Sequence, residues 1–285
     1  MRVLILGGDG MLGHQLLKTL ATRHEVRVTL RQALSRYSAF GLFTPANSFD
    51  EVVATDTDKL MSVLAAFRPQ YIINCIGIVK QRSAAKDAIP SLEINSLLPH
   101  RLARLAEVAG AKLIHFSTDC VFSGSKGNYT EDDFADAYDL YGRTKLLGEV
   151  TQPHCLTLRT SIMGRELGRN ASLIEWFLSQ RGTVKGFSRA IYTGFTTIEM
   201  ARIVDMLMTQ HPQAHGMWHV SSAAIDKYAL LLLVKKYFQL STQIVQDDAF
   251  NCDRSLDSTR FQKQFSYRPP SWEQMISELA TAEDK

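Results

Sequence analysis

The chain opens on an apolar run, Val3 to Leu6, and then reads Gly7-Gly8-Asp9-Gly10-Met11-Leu12-Gly13 before the periodic apolar stretch Leu12 to Leu20 begins. No other segment constrains the fold so tightly. The run satisfies Gly-x-x-Gly-x-x-Gly from Gly7 and Gly-x-Gly-x-x-Gly from Gly8, and it stands between a strand signal and a helix signal. Such a turn needs a positive φ and a bare backbone that a pyrophosphate can approach. It also needs a helix packed hard on its strand, its positive N-terminus aimed at phosphate. The segment predicts the first βα unit of a dinucleotide-binding sheet, with Gly7, Gly10, Met11, Leu12 and Gly13 at the ligand.

The first half continues this order. Val26 to Leu30, Val52 to Ala54, Tyr71 to Ile76, Leu113 to Phe116 and Cys155 to Leu158 read as further strands. Helical periods fall at Asp58 to Phe67, Leu97 to Val108 and Tyr141 to Val150. Right-handed crossovers then build an α/β fold, a Rossmann-type doubly wound parallel sheet covered on both faces. Pro99 removes a backbone donor inside the third helical stretch, so that helix is expected to start or kink there. In the second half the alternation breaks. Helices are expected at Ser172 to Ser179, Ile198 to Met208 and Lys227 to Phe238, and a strand at Met217 to Val220. Ser271 and Gln274 have capping-box spacing for a last helix reaching about Ala282. The expected division is a nucleotide-binding core over 1–160, with a returning sheet segment near 190–221, and a small C-terminal lobe over 161–190 and 222–285.

With 285 residues the chain can bury a core without staples. Lys plus Arg number 32 and Asp plus Glu 29, a balance that offers no nucleic-acid groove or membrane patch. Cys75, Cys120, Cys155 and Cys252 are scattered without a Cys-x-x-Cys pair, which fits reduced thiols rather than disulfides or zinc. The first apolar run is too short for a signal peptide, and Tyr228 to Val234 is too short to span a bilayer, so a cytoplasmic protein is expected. His211, His215 and His219 recur every four residues, but Pro212 and Gly216 interrupt any helix that would align them, and no metal is indicated. The run Leu230 to Leu233 reads as core, and Asn128-Tyr-Thr and Asn170-Ala-Ser as chance matches to a glycosylation pattern.

Where NAD-preferring sites carry a carboxylate about 20 residues beyond the glycines, this chain has Thr29-Leu30-Arg31. Arg31, with Arg36 near it, suits a 2′-phosphate, so NADPH is the expected cofactor and NADH the second choice.

The fifth strand runs into Ser117-Thr118-Asp119, and Tyr141-Gly-Arg-Thr-Lys145 follows. Tyr141 and Lys145, at i and i+4, share one helix face, and of nine tyrosines only Tyr141 has a lysine at that spacing. Hydride delivery to a carbonyl leaves an alkoxide that must be protonated, and an ammonium beside a phenol lowers the phenol's pKa enough to do it. Thr118 would hydrogen-bond the carbonyl oxygen, with Ser117 as the substitute. Tyr141, Lys145 and Thr118 are the catalytic candidates.

Together these residues resemble the extended short-chain dehydrogenase/reductase family, and within it the dTDP-4-dehydrorhamnose reductase-like sugar-nucleotide reductases. The resemblance spans nearly the whole chain. It rests on Gly7 to Gly13, Asn74, Asn95, Ser117-Thr118-Asp119, Val121-Phe122-Ser123-Gly124, Tyr141-Gly-Arg-Thr-Lys145-Leu-Leu-Gly-Glu149 and Leu158-Arg159-Thr160-Ser161. It implies NAD(P)H-dependent reduction of the 4-keto group of a nucleotide-activated deoxysugar, in surface polysaccharide biosynthesis, by Tyr141, Lys145 and Thr118. The partner implied is a nucleotide-sugar substrate, and a homodimer stays open. The resemblance also puts Asn74 and Gly77 on the cofactor ribose side, where ordinary polar bonding is the competing explanation for Asn74 and Asn95. Ser117, Tyr141 and Lys145 count among the cofactor contacts.

The chain departs from the pattern in places. The adenine-side acid after the third strand is lost or moved to Asp56, and Ile162 stands where the rhamnose-pathway reductases place an aromatic against the sugar. Cys120 replaces the glutamate of the related 4,6-dehydratases, which argues against dehydration. A cysteine stands at the same place in GDP-fucose synthase, so an epimerase/reductase using a Cys120 thiolate is one alternative; a small buried apolar cysteine is the plainer reading. A non-catalytic NADP-binding regulatory subunit, like the beta subunit of methionine adenosyltransferase, is another. On the substrate side the candidates are Cys120, Ile162, Arg189 and Arg254, with Arg165 and Arg169 as further arginines able to meet a pyrophosphate.

Overall fold

The structure is a computed structural model that describes residues 1–79, 87–168 and 172–282. The chain divides into two compact units. The first comprises Met1–Ser117, Asp139–Leu158 and Ala201–Met217, and the second Thr118–Tyr138, Arg159–Met200 and Trp218–Lys285.

The first half supplies β1 (Arg2–Leu6), α1 (Met11–Leu20), β2 (Glu25–Thr29), β3 (Ser48–Phe49), α2 (Thr57–Phe67) and β4 (Tyr71–Asn74). After them come α3 (Ala88–Ser91), α4 (Leu98–Val108), β5 (Lys112–Thr118), α5 (Leu140–Leu147) and β6 (Cys155–Thr160). The second half adds β7 (Ile162–Met163), α6 (Leu173–Ser179), β8 (Thr183–Tyr192), β9 (Phe195–Thr196), α7 (Thr197–Gln210) and β10 (Gly216–His219). It closes with β11 (Ile225–Asp226), α8 (Lys227–Tyr237), β12 (Gln243–Asp253), α9 (Thr259–Gln264) and α10 (Trp272–Thr281).

A seven-stranded sheet has the order β10-β6-β5-β4-β1-β2-β3, with β1 parallel to β2 and β4, and β4 parallel to β5. The order reverses at β1, as a doubly wound sheet requires. Leu4 and Leu6 of β1 point to a core shared with Leu60, Val63, Leu64 and Phe67 of α2 and Leu98, Leu102 and Ala106 of α4. Val3 and Ile5 are just as buried, which is why the strand reads as an unbroken apolar run.

One expectation about this unit is corrected. The third strand is Ser48–Phe49, not Val52 to Ala54. Glu51, at φ 53°, turns the chain away from the ladder, while Val52 gives its N–H to the Leu30 carbonyl and buries its side chain; that burial produced the apolar signal. Pro99 stands in the first turn of α4, as expected of a helix that starts there, and the turn before it is unusual. Leu92–Leu97 wind as a π-helix between α3 and α4, with the Leu98 N–H reaching back to the Glu93 carbonyl. The wider turn accommodates a residue that cannot bond to the carbonyl four places back.

In the second unit β8 lies between β11, antiparallel, and β12, parallel. This sheet was not expected from the sequence. The unit also takes Thr118–Tyr138, where a core running unbroken to residue 160 is the expectation. Tyr129 is the tie: its N–H donates to the Ser255 carbonyl at 2.8 Å and its carbonyl accepts from Asp257 N–H at 2.7 Å. Residues 190–200 belong here too, and the segment returning to the first unit begins at Ala201. The capping box of Ser271 and Gln274 opens α10. Among the described residues no helix is long and apolar enough to cross a membrane.

Candidate active site

In the first unit the glycine turn is fastened to β2. Gly7, at φ 82°, donates its N–H to Thr29 Oγ1 at 3.1 Å, and Gly8 donates to the Thr29 carbonyl at 2.9 Å. Thr29, which the sequence offered only as a missing acid, is thus the anchor of the turn. A Cβ on Gly13 would lie 2.9 Å from the Gly7 carbonyl carbon and collide with its oxygen, so glycine there sets how closely α1 meets β1. Gly10 is the N-cap of α1 and has no side chain to satisfy the first N–H groups; no acid stands in the first turn. Backbone donors at half-buried Met11 and buried Leu12 begin a helix end of net positive potential, suited to a diphosphate. The cradle and the chemistry of its donors fit a dinucleotide. Arg31 and Arg36 lie exposed just beyond β2. Asp56 is the N-cap of α2, its Oδ1 accepting from the Lys59 N–H at 2.9 Å, a structural duty besides the adenine contact expected of it.

Asn74 and His115 face each other across β4 and β5, with Asn74 Nδ2 3.1 Å from His115 Nδ1 and Asn74 Oδ1 accepting from the Ile76 N–H. Asn74 therefore shows the local polar bonding weighed against a ribose contact. Asn95, carried on the π-helical turn, accepts from the Ile78 N–H at 2.9 Å and donates to the Ile78 carbonyl at 3.0 Å and to Thr144 Oγ1 at 3.3 Å. It fixes the chain following Gly77 against α5.

Lys145 is buried, at 6% exposure, and its Nζ donates to the Phe116 carbonyl at 2.5 Å. Burial pulls its pKa down from 10.5 to about 8, and the charge of Glu149 opposes the fall. Tyr141 lies one turn earlier on α5 and is half-buried. Ser117 donates its hydroxyl to Glu149 Oε1 at 2.6 Å. That bond commits Ser117 to Glu149, whose place in the motif the sequence showed without its role.

In the second unit the Thr118 hydroxyl accepts from the Cys120 N–H at 3.1 Å and donates to Asp119 Oδ1 at 3.1 Å, capping a short turn. Burial, reinforced by Asp119, pushes the Cys120 thiol up to about 12. Tyr192 of β8 lies against Gly194 and feels the charge of Asp119; burial, together with it, raises its phenol above the ordinary value. No sequence signal pointed to it. Ile162 pairs with Phe195 in β7 and β9. Arg254 donates Nε to the Phe122 carbonyl at 2.7 Å, Arg189 is exposed on β8, and Arg165 is ion-paired with buried Glu175 at 2.5 Å. The pair gives Arg165 a place inside the unit. Arg169 lies outside the described residues. Among the described residues no three His, Cys, Asp or Glu gather as a metal site would need.

The sequence family described as RmlD substrate binding domain matches residues 1–284. A dTDP-4-dehydrorhamnose reductase of Aggregatibacter actinomycetemcomitans is 25% identical, over 98% of this chain and 98% of its own. Methionine adenosyltransferase 2 subunit beta of Rattus norvegicus is 30% identical over 52% of this chain and 41% of its own. The crystal structure of dTDP-4-dehydrorhamnose reductase from Bacillus anthracis in complex with NADP superimposes with a TM-score of 0.81 at 20% identity, over 100% of this chain and 99% of that one.

Proposed function

The chain belongs to the RmlD substrate-binding-domain family, and from that premise we propose that it is an NADPH-dependent reductase of the 4-keto group of a nucleotide-activated deoxysugar. The observation that carries the reading is Lys145, buried and held to the end of β5 by the Phe116 carbonyl, one helical turn from Tyr141. Evolution rarely buries a lysine without a task, because desolvation disfavours the charge.

Bound at the glycine turn, NADPH would supply hydride to the carbonyl carbon. Gly7, Gly10 and Gly13, with the first N–H groups of α1, would hold its diphosphate, and Arg31 the 2′-phosphate. Tyr141 gives its phenolic proton to the developing alkoxide. With a pKa of about 8, Lys145 is still mostly protonated at neutral pH, and its charge stabilises the phenolate left behind. The role assigned to Thr118 is a hydrogen bond to the carbonyl oxygen. Cys120, Ile162, Arg189 and Arg254 are assigned to the sugar nucleotide. The thiol of Cys120, held protonated by burial and by Asp119, supports plain reduction over an epimerising thiolate.

The test is NADPH oxidation with dTDP-, UDP- and GDP-linked 4-keto-6-deoxy sugars in deuterated water, with Tyr141→Phe as control. Turnover should fall at least about 100-fold in the variant, the scale of one lost general acid. The product should carry no solvent deuterium at C3 or C5. Tight NADPH binding with no turnover of any sugar would overturn the reductase and favour a regulatory subunit.

A further inference from the structure

Taking the reductase reading as its basis, we propose that Glu149, held by Ser117, is a positioning residue that sets the ionisation of Lys145 and with it the pH range in which Tyr141 can act. The argument begins with the end of β5. Two consecutive residues there grip the two ends of one short stretch of chain: the Phe116 carbonyl takes Lys145 Nζ at 2.5 Å, and the Ser117 hydroxyl takes Glu149 Oε1 at 2.6 Å. Lys145 and Glu149 are four residues apart, on either side of the helix cap at Gly148, so a single strand end fixes both the cation and the anion. A Cβ on Gly148 would collide with the Asn95 carbonyl, which pins the chain between them.

Glu149 is the charge that opposes the desolvation of Lys145. On β5, His115 is buried and stays neutral, its pKa driven well below the usual histidine value by burial, by Lys145 and by His100. On α4, His100 bonds through Nε2 to the Leu147 carbonyl. Burial strips water from the ammonium, and the negative charge of Glu149 offsets part of that loss. Ser117 donates to Glu149 Oε1 and so holds the carboxylate in place.

Glu149→Gln keeps an oxygen for Ser117 and removes only the charge. The direct readout is the titration of Lys145 in apo-protein labelled with 13C at lysine Cε, its signal assigned by loss in Lys145→Met. The wild-type midpoint should lie near 8, and Glu149→Gln should lower it by roughly one unit, the scale of one neighbouring charge. Ser117→Ala, which frees the carboxylate without discharging it, should move the midpoint the same way by less, and it carries the test if Glu149→Gln fails to fold. An unmoved midpoint in a folded variant overturns the proposal. In turnover, the alkaline limb of kcat/KM should shift with the midpoint; a limb that stays in place while the midpoint moves also overturns it. Wild-type protein inactive on every keto sugar would refute the reductase reading and leave the midpoint measurement standing.

Discussion

Replacing Lys145 by methionine keeps a side chain of similar length and discards its charge. In the native chain the lysine's pKa falls from 10.5 to about 8, which corresponds to about 3 kcal/mol of unfavourable burial. Between pH 8 and 10.5 the unfolded chain binds the proton that the native chain has released, so stability rises with pH across that window. The cost is fully present below pH 8 and gone above 10.5. The variant escapes it and loses the bond to the Phe116 carbonyl, worth about 1 kcal/mol at either pH. Lys145→Met should therefore be the more stable protein at pH 6.5. That advantage should shrink by about 2 kcal/mol at pH 9.5, because most of the titration is then complete. Urea unfolding of the apo-proteins at the two pH values, followed by far-UV circular dichroism, measures the difference. A gap between variant and wild type that does not change with pH would refute the reasoning, because packing and the lost hydrogen bond do not titrate in this window.

Gly13→Ala places its Cβ against the Gly7 carbonyl, backbone that has no rotamer to yield, and should cost roughly 2 kcal/mol. Urea midpoints and NADPH titration should both show the loss. Arg31→Glu puts a carboxylate where a 2′-phosphate would lie, and should turn the NADPH-to-NADH affinity ratio toward NADH by roughly tenfold or more. An unchanged ratio in fluorescence titrations would remove Arg31 from the cofactor site.

The sheet was legible in sequence where its strands are buried on both faces. Val3 to Leu6 and Tyr71 to Asn74 show apolar runs bounded by turns, and α1 and α2 show the helical period of Leu12, Leu16 and Leu20 or of Leu60, Leu64 and Phe67. β12 was not legible. Gln243–Asp253 reads Gln-Ile-Val-Gln-Asp-Asp-Ala-Phe-Asn-Cys-Asp, mostly solvent-facing, with a break in register between Asp247 and Asn251. Its polarity resembles a loop, and only pairing with β8, some 60 residues earlier in the chain, makes it a strand. The same holds for residues 118–138, whose place is set by Tyr129 meeting Ser255 and Asp257, partners that no local pattern announces.

For the site, spacing and the hydroxyl-bearing strand end before it nominated Tyr141 and Lys145, since a helix turns an i, i+4 pair onto one face. Spacing could not choose between two adjacent hydroxyls. Ser117 and Thr118 are both the right chemistry at the end of the right strand. A strand, however, sends successive side chains to opposite sides, so only one of the two can share the face of His115. Ser117 takes that face and spends its proton on Glu149, while the Thr118 hydroxyl lies at the cap of the turn that follows. Ser117 is thus tied to the carboxylate four residues beyond Lys145, and Thr118 to its own turn. The strand's period of two thus gives two adjacent hydroxyls separate partners, a difference that the sequence pattern does not carry.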